Sequence, residues 1–197
     1  MEYDLKEKRD TYEKVVRELI SSELLVTYKN SNAFKDKNII VTGATGGIGS
    51  VLVGAYLYLG AKVVAVVRDE KKVLEMFNSE KNNKNFDYEI INLENPMFIN
   101  KGFTNIIKKK FGGKLDGLVM CHGVFSPGKL IETLIDAFDS TLNTNVRSSF
   151  HLLSLATPFL KLTKGNVVVL SSIYGKLLYK DSFLESLSNV NKTLKLI

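Results

Sequence analysis

The chain is poor in the residues that make covalent or metal-based chemistry. It holds one cysteine, Cys121, so no disulfide can form within it. A lone thiol fits a reducing compartment. Two histidines and one cysteine are too few for a typical zinc site, and no metal is expected. No apolar run is long enough to cross a bilayer, so no membrane partner is expected. Lysine and arginine outnumber aspartate and glutamate by 27 to 21, a net charge of +6. No basic stripe interleaved with aromatics accompanies that excess, which argues against nucleic acid and for solvated lysine. Internal repeats and low-complexity tracts are absent. The segment from Met1 to Arg17 mixes acids with bases, unlike a basic, acid-poor transit peptide. The expectation is a soluble, cytoplasmic protein.

With 197 residues, 45% hydrophobic and 24% charged, the chain is sized and composed for one globular core. Residues 1–36 read as an N-terminal helical extension and linker. Leu5, Tyr12, Val15, Val16, Leu19 and Ile20 fall at helical spacing over Asp4 to Ile20, and a polar stretch from Lys29 to Lys37 follows. That helix has two possible seats, the body of the protein or a partner. Residues 37–197 alternate between strand and helix patterns. Short β-branched runs occur at Asn38–Thr42, Lys62–Val67, Tyr88–Ile91, Leu115–Met120 and Asn166–Leu170. Helical patterns lie between them: Gly47 to Leu59, Asn95 to just before Gly112, and Glu132 to Leu160 with a break near Thr144. Near-continuous apolar strands separated by helices predict a parallel sheet covered on both faces. The fold class is therefore α/β, with a doubly wound parallel sheet.

The sharpest motif is Thr42-Gly43-Ala44-Thr45-Gly46-Gly47-Ile48-Gly49, directly after the first strand and opening a helix. Free amides and the positive dipole end at a helix N-terminus suit a diphosphate. Glycines allow the tight turn and the close approach of backbone to ligand. Gly43, Thr45, Gly46, Gly47, Ile48 and Gly49 are the candidate phosphate-binding residues. The spacing Thr-Gly-x-x-x-Gly-x-Gly resembles the fingerprint of the short-chain dehydrogenase/reductase family. That resemblance implies a single Rossmann-type domain, with the sheet in the order 3-2-1-4-5, that moves a hydride between NAD(P) and a carbonyl or alcohol.

The second strand ends Val66-Val67-Arg68-Asp69. An NAD enzyme places an acid at that strand end to bind the ribose hydroxyls. Val67 cannot do so, whereas the Arg68 guanidinium can grip the extra phosphate of NADP. The family resemblance agrees that Arg here marks NADP-preferring members; Asp69, one position later, keeps NAD as the alternative. By the same resemblance, Asn92 and Leu93 stand beside the adenine. Asp116 to Gly123 is similar to the family's Asp-x-Leu-Val-Asn-Asn-Ala-Gly, with Met120 and Cys121 in place of the two asparagines, and Gly123 beside the ribose. Cys121 and His122 read as loop residues lining the cleft, pointing to opposite faces; His151 reads as a helix residue beside the sheet.

Of the four catalytic side chains in the family, two can be carried over. Asn145, in Thr144-Asn145-Val146-Arg147-Ser148-Ser149-Phe150, resembles the Asn that supports a water relay. Ser172, in Ser171-Ser172-Ile173-Tyr174-Gly175, resembles the Ser that orients the carbonyl. The Tyr-x-x-x-Lys pair expected about a dozen residues later is missing, with Glu185 and Asn189 near those positions. Tyr58 and Lys62 have the spacing but lie at the end of the first crossover helix. Tyr179 is the best substitute acid, with Lys176 or Lys180 nearby. Ser182 to Glu185 has the form of a capping box opening a final amphipathic helix through Leu184, Leu187, Val190 and Leu194. The resemblance spans Lys37 to Gly175, leaves the fifth strand as a sheet edge, and does not reach the family's substrate loop. It implies a small carbonyl or alcohol substrate and is compatible with a homo-oligomer. The alternative is a cofactor-binding pseudoenzyme or truncated fragment acting as a sensor or interaction module.

Overall fold

The computed structural model describes residues 2–126, 128–175, 184, 188 and 189. Its centre is a parallel five-stranded sheet of β1 (Asn38–Thr42), β2 (Lys62–Val67), β3 (Phe86–Ile90), β4 (Gly117–Met120) and β5 (Asn166–Val169), in the order β3-β2-β1-β4-β5. In the sheet's register, Ile40 lies between Val64 and Leu118, and Val41 between Ala65 and Val119. Successive residues therefore serve opposite faces. Ile40, Val64, Val66, Leu118 and Met120 pack with helices α5 (Pro96–Asn105) and α7 (Ser148–Thr163). Ile39, Val41, Val63, Ala65, Val67 and Val119 pack on the other side, with α3 (Gly47–Tyr58) and α4 (Glu70–Met76). This double coverage is why the strand sequences are apolar throughout rather than alternating.

Local chemistry sets the helix ends. Asn95 caps α5 by accepting from the Met97 amide at 2.9 Å, with Pro96 in the first turn. Asp69 caps α4 by accepting from the Lys72 amide at 3.3 Å. The helical pattern drawn from Glu132 to Leu160 is interrupted where expected. A short turn at Leu130–Glu132 leads to α6 (Ile135–Leu142), and Asn143–Arg147 forms a wide π-type turn before α7. In it the Ser148 amide donates to the Asn143 carbonyl, five residues back.

Three elements differ from the sequence expectation. The third strand begins two residues earlier, at Phe86, because its register is set by pairing with Val63 rather than by its own apolar run. β4 begins two residues later, at Gly117, since Leu115 and Asp116 precede its pairing with β1. The polar stretch read as linker is partly helical: α2 (Glu23–Ser31) starts at Ser22, whose hydroxyl accepts from the Leu25 amide, and ends at left-handed Asn32. α2 is held by burying Leu25 against Ala55 and Leu59. The first predicted helix is α1 (Glu2–Ile20), and it packs on the body, against α3 and α4.

The expected capping box at Ser182, and Tyr179, Lys176, Lys180, Leu187, Val190 and Leu194, lie outside the described residues. Leu184, Ser188 and Asn189 are helical and buried.

Candidate functional site

A cleft of about 580 Å³ opens at the carboxyl ends of β1, β2 and β4. In an open parallel sheet this is the crevice where ligands bind, at the point where the strand order reverses. Gly43, Thr45 and Gly46 line it from the turn after β1, and Arg68 from the end of β2. Asn92 and Leu93 line it from the end of β3, and Gly123 from the loop after β4.

The turn after β1 is built from backbone. Gly43 has φ +62°, and a Cβ there would sit 2.8 Å from Cys121 and His122 backbone atoms. No other residue fits on either count. A Cβ on Gly49 would lie 2.3 Å from the Gly43 carbonyl oxygen, so α3 starts tight against the turn. Gly47 is different: a Cβ there would meet nothing within 4 Å. Gly46, the residue before α3, offers no side-chain cap, and no acid stands in the first turn. The first-turn amides, those of Gly47, Ile48 and Gly49, thus have no acceptor within the helix.

At the end of β2, Val67 is buried and Arg68 exposed. Asp69, the residue that kept NAD in play, is engaged as the cap of α4. The Asn92 carboxamide oxygen accepts from the Glu94 amide at 3.0 Å, closing a turn.

The loop after β4 is braced by side chains. His122 is nearly buried. Its Nδ1 lies 2.6 Å from Thr42 Oγ1, and its Nε2 lies 2.8 Å from Ser148 Oγ and 3.2 Å from Ser149 Oγ. Ser148 also donates to the Thr144 carbonyl, and Ser149 to that of Asn145 at 2.9 Å. Asn145 is 1% exposed and holds the same loop by both of its amide atoms. Its Oδ1 accepts from the Val124 amide at 2.8 Å, while Nδ2 donates to the Val124 carbonyl and to Ser188 Oγ, each at 3.0 Å. Thr144 with Ser148 and Asn145 with Ser149 are spaced four residues apart, so all four stand on one side of the helix. Cys121 points the other way and packs on the α3 side of the sheet. Burial pushes its thiol up to about 11, so at neutral pH it is no thiolate nucleophile.

Ser172 lies in the loop after β5, where its Oγ accepts from the Tyr174 amide at 3.3 Å; it is not among the residues lining the cleft. Neighbouring Ser171 donates to the Asn189 carbonyl at 3.3 Å, so Ser188 and Asn189 tie the β5 loop to Asn145. Sequence reading placed His122 on the cleft but missed its bonds to Thr42, Ser148 and Ser149. The only available signal was the buried-face spacing of two serines on one helix. Asp116, part of the family-like segment, stands at the far end of the sheet: it accepts from the Asn38 amide at 2.9 Å and pairs with Lys37 at 3.0 Å. His151 reaches Asn100 Oδ1 at 3.0 Å, linking α7 to α5. No group of three or more His, Cys, Asp or Glu side chains gathers among the described residues in a way that could hold a metal. Nor is any helix among them long and apolar enough to cross a membrane.

The family model for short chain dehydrogenases matches residues 37–182. The chain belongs to the short-chain dehydrogenase family. A tropinone reductase homolog from Arabidopsis thaliana is 30% identical over 145 residues, covering 73% of this chain and 54% of that protein. The 3-oxoacyl-[acyl-carrier-protein] reductase FabG of Rickettsia typhi is 32% identical over 143 residues, 72% of this chain and 56% of that protein. The chain thus spans about half the length of these curated relatives. A short chain dehydrogenase from Shigella flexneri, solved in complex with NADP, superimposes with a TM-score of 0.73 at 23% identity, over 80% of this chain and 67% of that one. This last likeness is one of fold.

Proposed function

We propose that the cleft binds NADP(H), and that the protein exchanges hydride with a small carbonyl or alcohol. The observation that carries this reading is the turn after β1. Gly43 has no room for a side chain, Gly47 has open space in front of it, and the first amides of α3 are left uncapped. A diphosphate suits that turn in space and in charge. Arg68 follows as the cation for the extra ribose phosphate, Asn92 and Leu93 as the adenine wall, and Gly123 as the backbone beside the second ribose. When bound, the nicotinamide supplies or accepts the hydride. Ser172 is assigned to orient the substrate oxygen. Asn145, whose carboxamide is fully engaged with Val124 and Ser188, acts by holding the β4 loop in shape.

A second reading, dinucleotide binding without turnover, is favoured by one feature: no Tyr-x-x-x-Lys follows Ser172 in this sequence. Hydride transfer to a carbonyl builds alkoxide charge and needs an acid within hydrogen-bond reach. The lone protonated thiol suits a reducing, cytoplasmic setting in either case.

Titration with NADPH and NADH, followed by nicotinamide fluorescence, tests the site. NADPH should bind more tightly. Arg68→Ala should weaken NADPH about tenfold while leaving NADH nearly unchanged, the scale of one charge-assisted phosphate contact. Equal losses would remove the NADP assignment. Tight binding with no NADPH oxidation across a panel of aldehydes and ketones would select the second reading.

A further inference from the structure

One wall of the cleft comes from outside the strand–helix repeats. Lys8, on α1, lines it with Arg68, Lys71 and Lys72. Two acids also face the cleft, and both are engaged. Asp69 caps α4, and the Glu94 carboxylate accepts from Ser140 at 2.9 Å and Thr144 at 3.2 Å.

The position of Lys8 follows from how α1 is held. Tyr12 is 3% exposed, meets Phe77 edge-on with ring centroids 5.5 Å apart, and donates to Glu80 at 2.7 Å. Val16 packs against Gly54, where a Cβ would come within 2.9 Å of it, so α1 lies close on α3. Farther along, Leu19 and Ile20 pack near Ala55 and Leu59, at the end of α3. α1 therefore runs along α3 in the same sense, and Lys8, in its first half, lines the same cleft as Gly43, Thr45 and Gly46. Lys8 is one turn before Tyr12, on the same helix face. Helical side chains lean toward the N-terminus. Burying Tyr12 thus aims Lys8 at the cleft.

We infer that Lys8 is a specificity-determining residue, by which the N-terminal helix supplies a second cation, beside Arg68, for the extra ribose phosphate of NADP(H). This rests on the dinucleotide reading given above. It makes α1 a part of the binding site rather than an appendage.

The test compares NADPH and NADH affinities of the unmodified protein with those of Lys8→Met, Lys8→Arg and Lys14→Met. Met keeps the apolar stem and the helix propensity, and Lys14 is an exposed α1 lysine that does not line the cleft. Lys8→Met should weaken NADPH about three- to fivefold, the scale of an exposed ion pair, and fade at high salt. NADH binding and Tm should not change, Lys8→Arg should restore NADPH affinity, and Lys14→Met should do nothing. An unchanged NADPH-to-NADH ratio in Lys8→Met, with Arg68→Ala still selective, would overturn the role of Lys8 and leave the dinucleotide site standing. An equal loss in Lys14→Met would overturn it too, as a diffuse charge effect. Failure of the unmodified protein to bind either dinucleotide would overturn both the inference and the reading beneath it.

Discussion

The turn after β1 and the loop after β4 touch each other on the floor of one cleft, yet they are made of different material. The first is backbone: glycines with no room for a Cβ, and amides left without acceptors. The second is side chain: His122 and Asn145 join the loop to β1 and to the π-type turn through hydrogen bonds between residues far apart in the chain. Such a site tolerates almost no change at Gly43 or Gly49, where a Cβ would clash with backbone. A side-chain brace can be rebuilt from other residues, since it needs only a donor and an acceptor in reach of each other. The cleft can keep its shape while its bracing chemistry changes.

Substitutions should separate the two. The largest effect is expected at Gly43→Ala, which adds a left-handed residue and a 2.8 Å clash with backbone. It should cost about 2–4 kcal/mol in chemical denaturation. Gly47→Val makes the complementary case, since a Cβ there meets nothing within 4 Å: stability should hold within about 0.5 kcal/mol, while dinucleotide affinity falls at least about tenfold. A retained affinity would remove the turn from the site. Asn145→Ala should cost about 2–3 kcal/mol by removing a buried carboxamide and its hydrogen bonds to Val124 and Ser188. His122→Ala should cost less, about 1–2 kcal/mol, because Ser148 and Ser149 keep their bonds to the Thr144 and Asn145 carbonyls. A neutral Asn145→Ala would show that the loop holds itself.

The smallest effect concerns Cys121. Burial raises its thiol from 9.0 to about 11. A raised folded-state value means the neutral form is favoured on folding. Its contribution is therefore complete below 9.0 and lost as pH rises from there through about 11. Comparing urea midpoints of the unmodified protein and Cys121→Ala across that window should show their difference shrinking as pH rises. A constant difference would mean that the thiol is not protected by the fold. Alkylation of Cys121, slow at neutral pH, should be slowed further by NADPH, since the residue lines the cleft.

Much of this was legible in the sequence because it is written in short-range signals. The apolar runs at Asn38–Thr42 and Lys62–Val67 name the central strands, since only strands buried on both faces need so little polarity. Gly43 to Gly49 announces its turn because backbone conformation restricts residue type locally. The third strand's first residue is not legible in the sequence because pairing with β2, not the strand's own pattern, decides it. α2 was partly read as linker because its stability comes from Leu25 meeting Ala55 and Leu59, which no local pattern contains.

The sequence by itself determined the fold class, the strand order by way of family resemblance, and the glycine-rich turn after the first strand, each carried by periodicity, by resemblance or by residues that few conformations tolerate. Only the tertiary structure decided that His122 bonds to Thr42 and two serines, that Asn145 braces rather than projects, that Asp69 is engaged as a cap, and that Lys8 reaches the cleft. Those outcomes depend on contacts between residues tens of positions apart, and it is packing, not local preference, that brings them within hydrogen-bond reach.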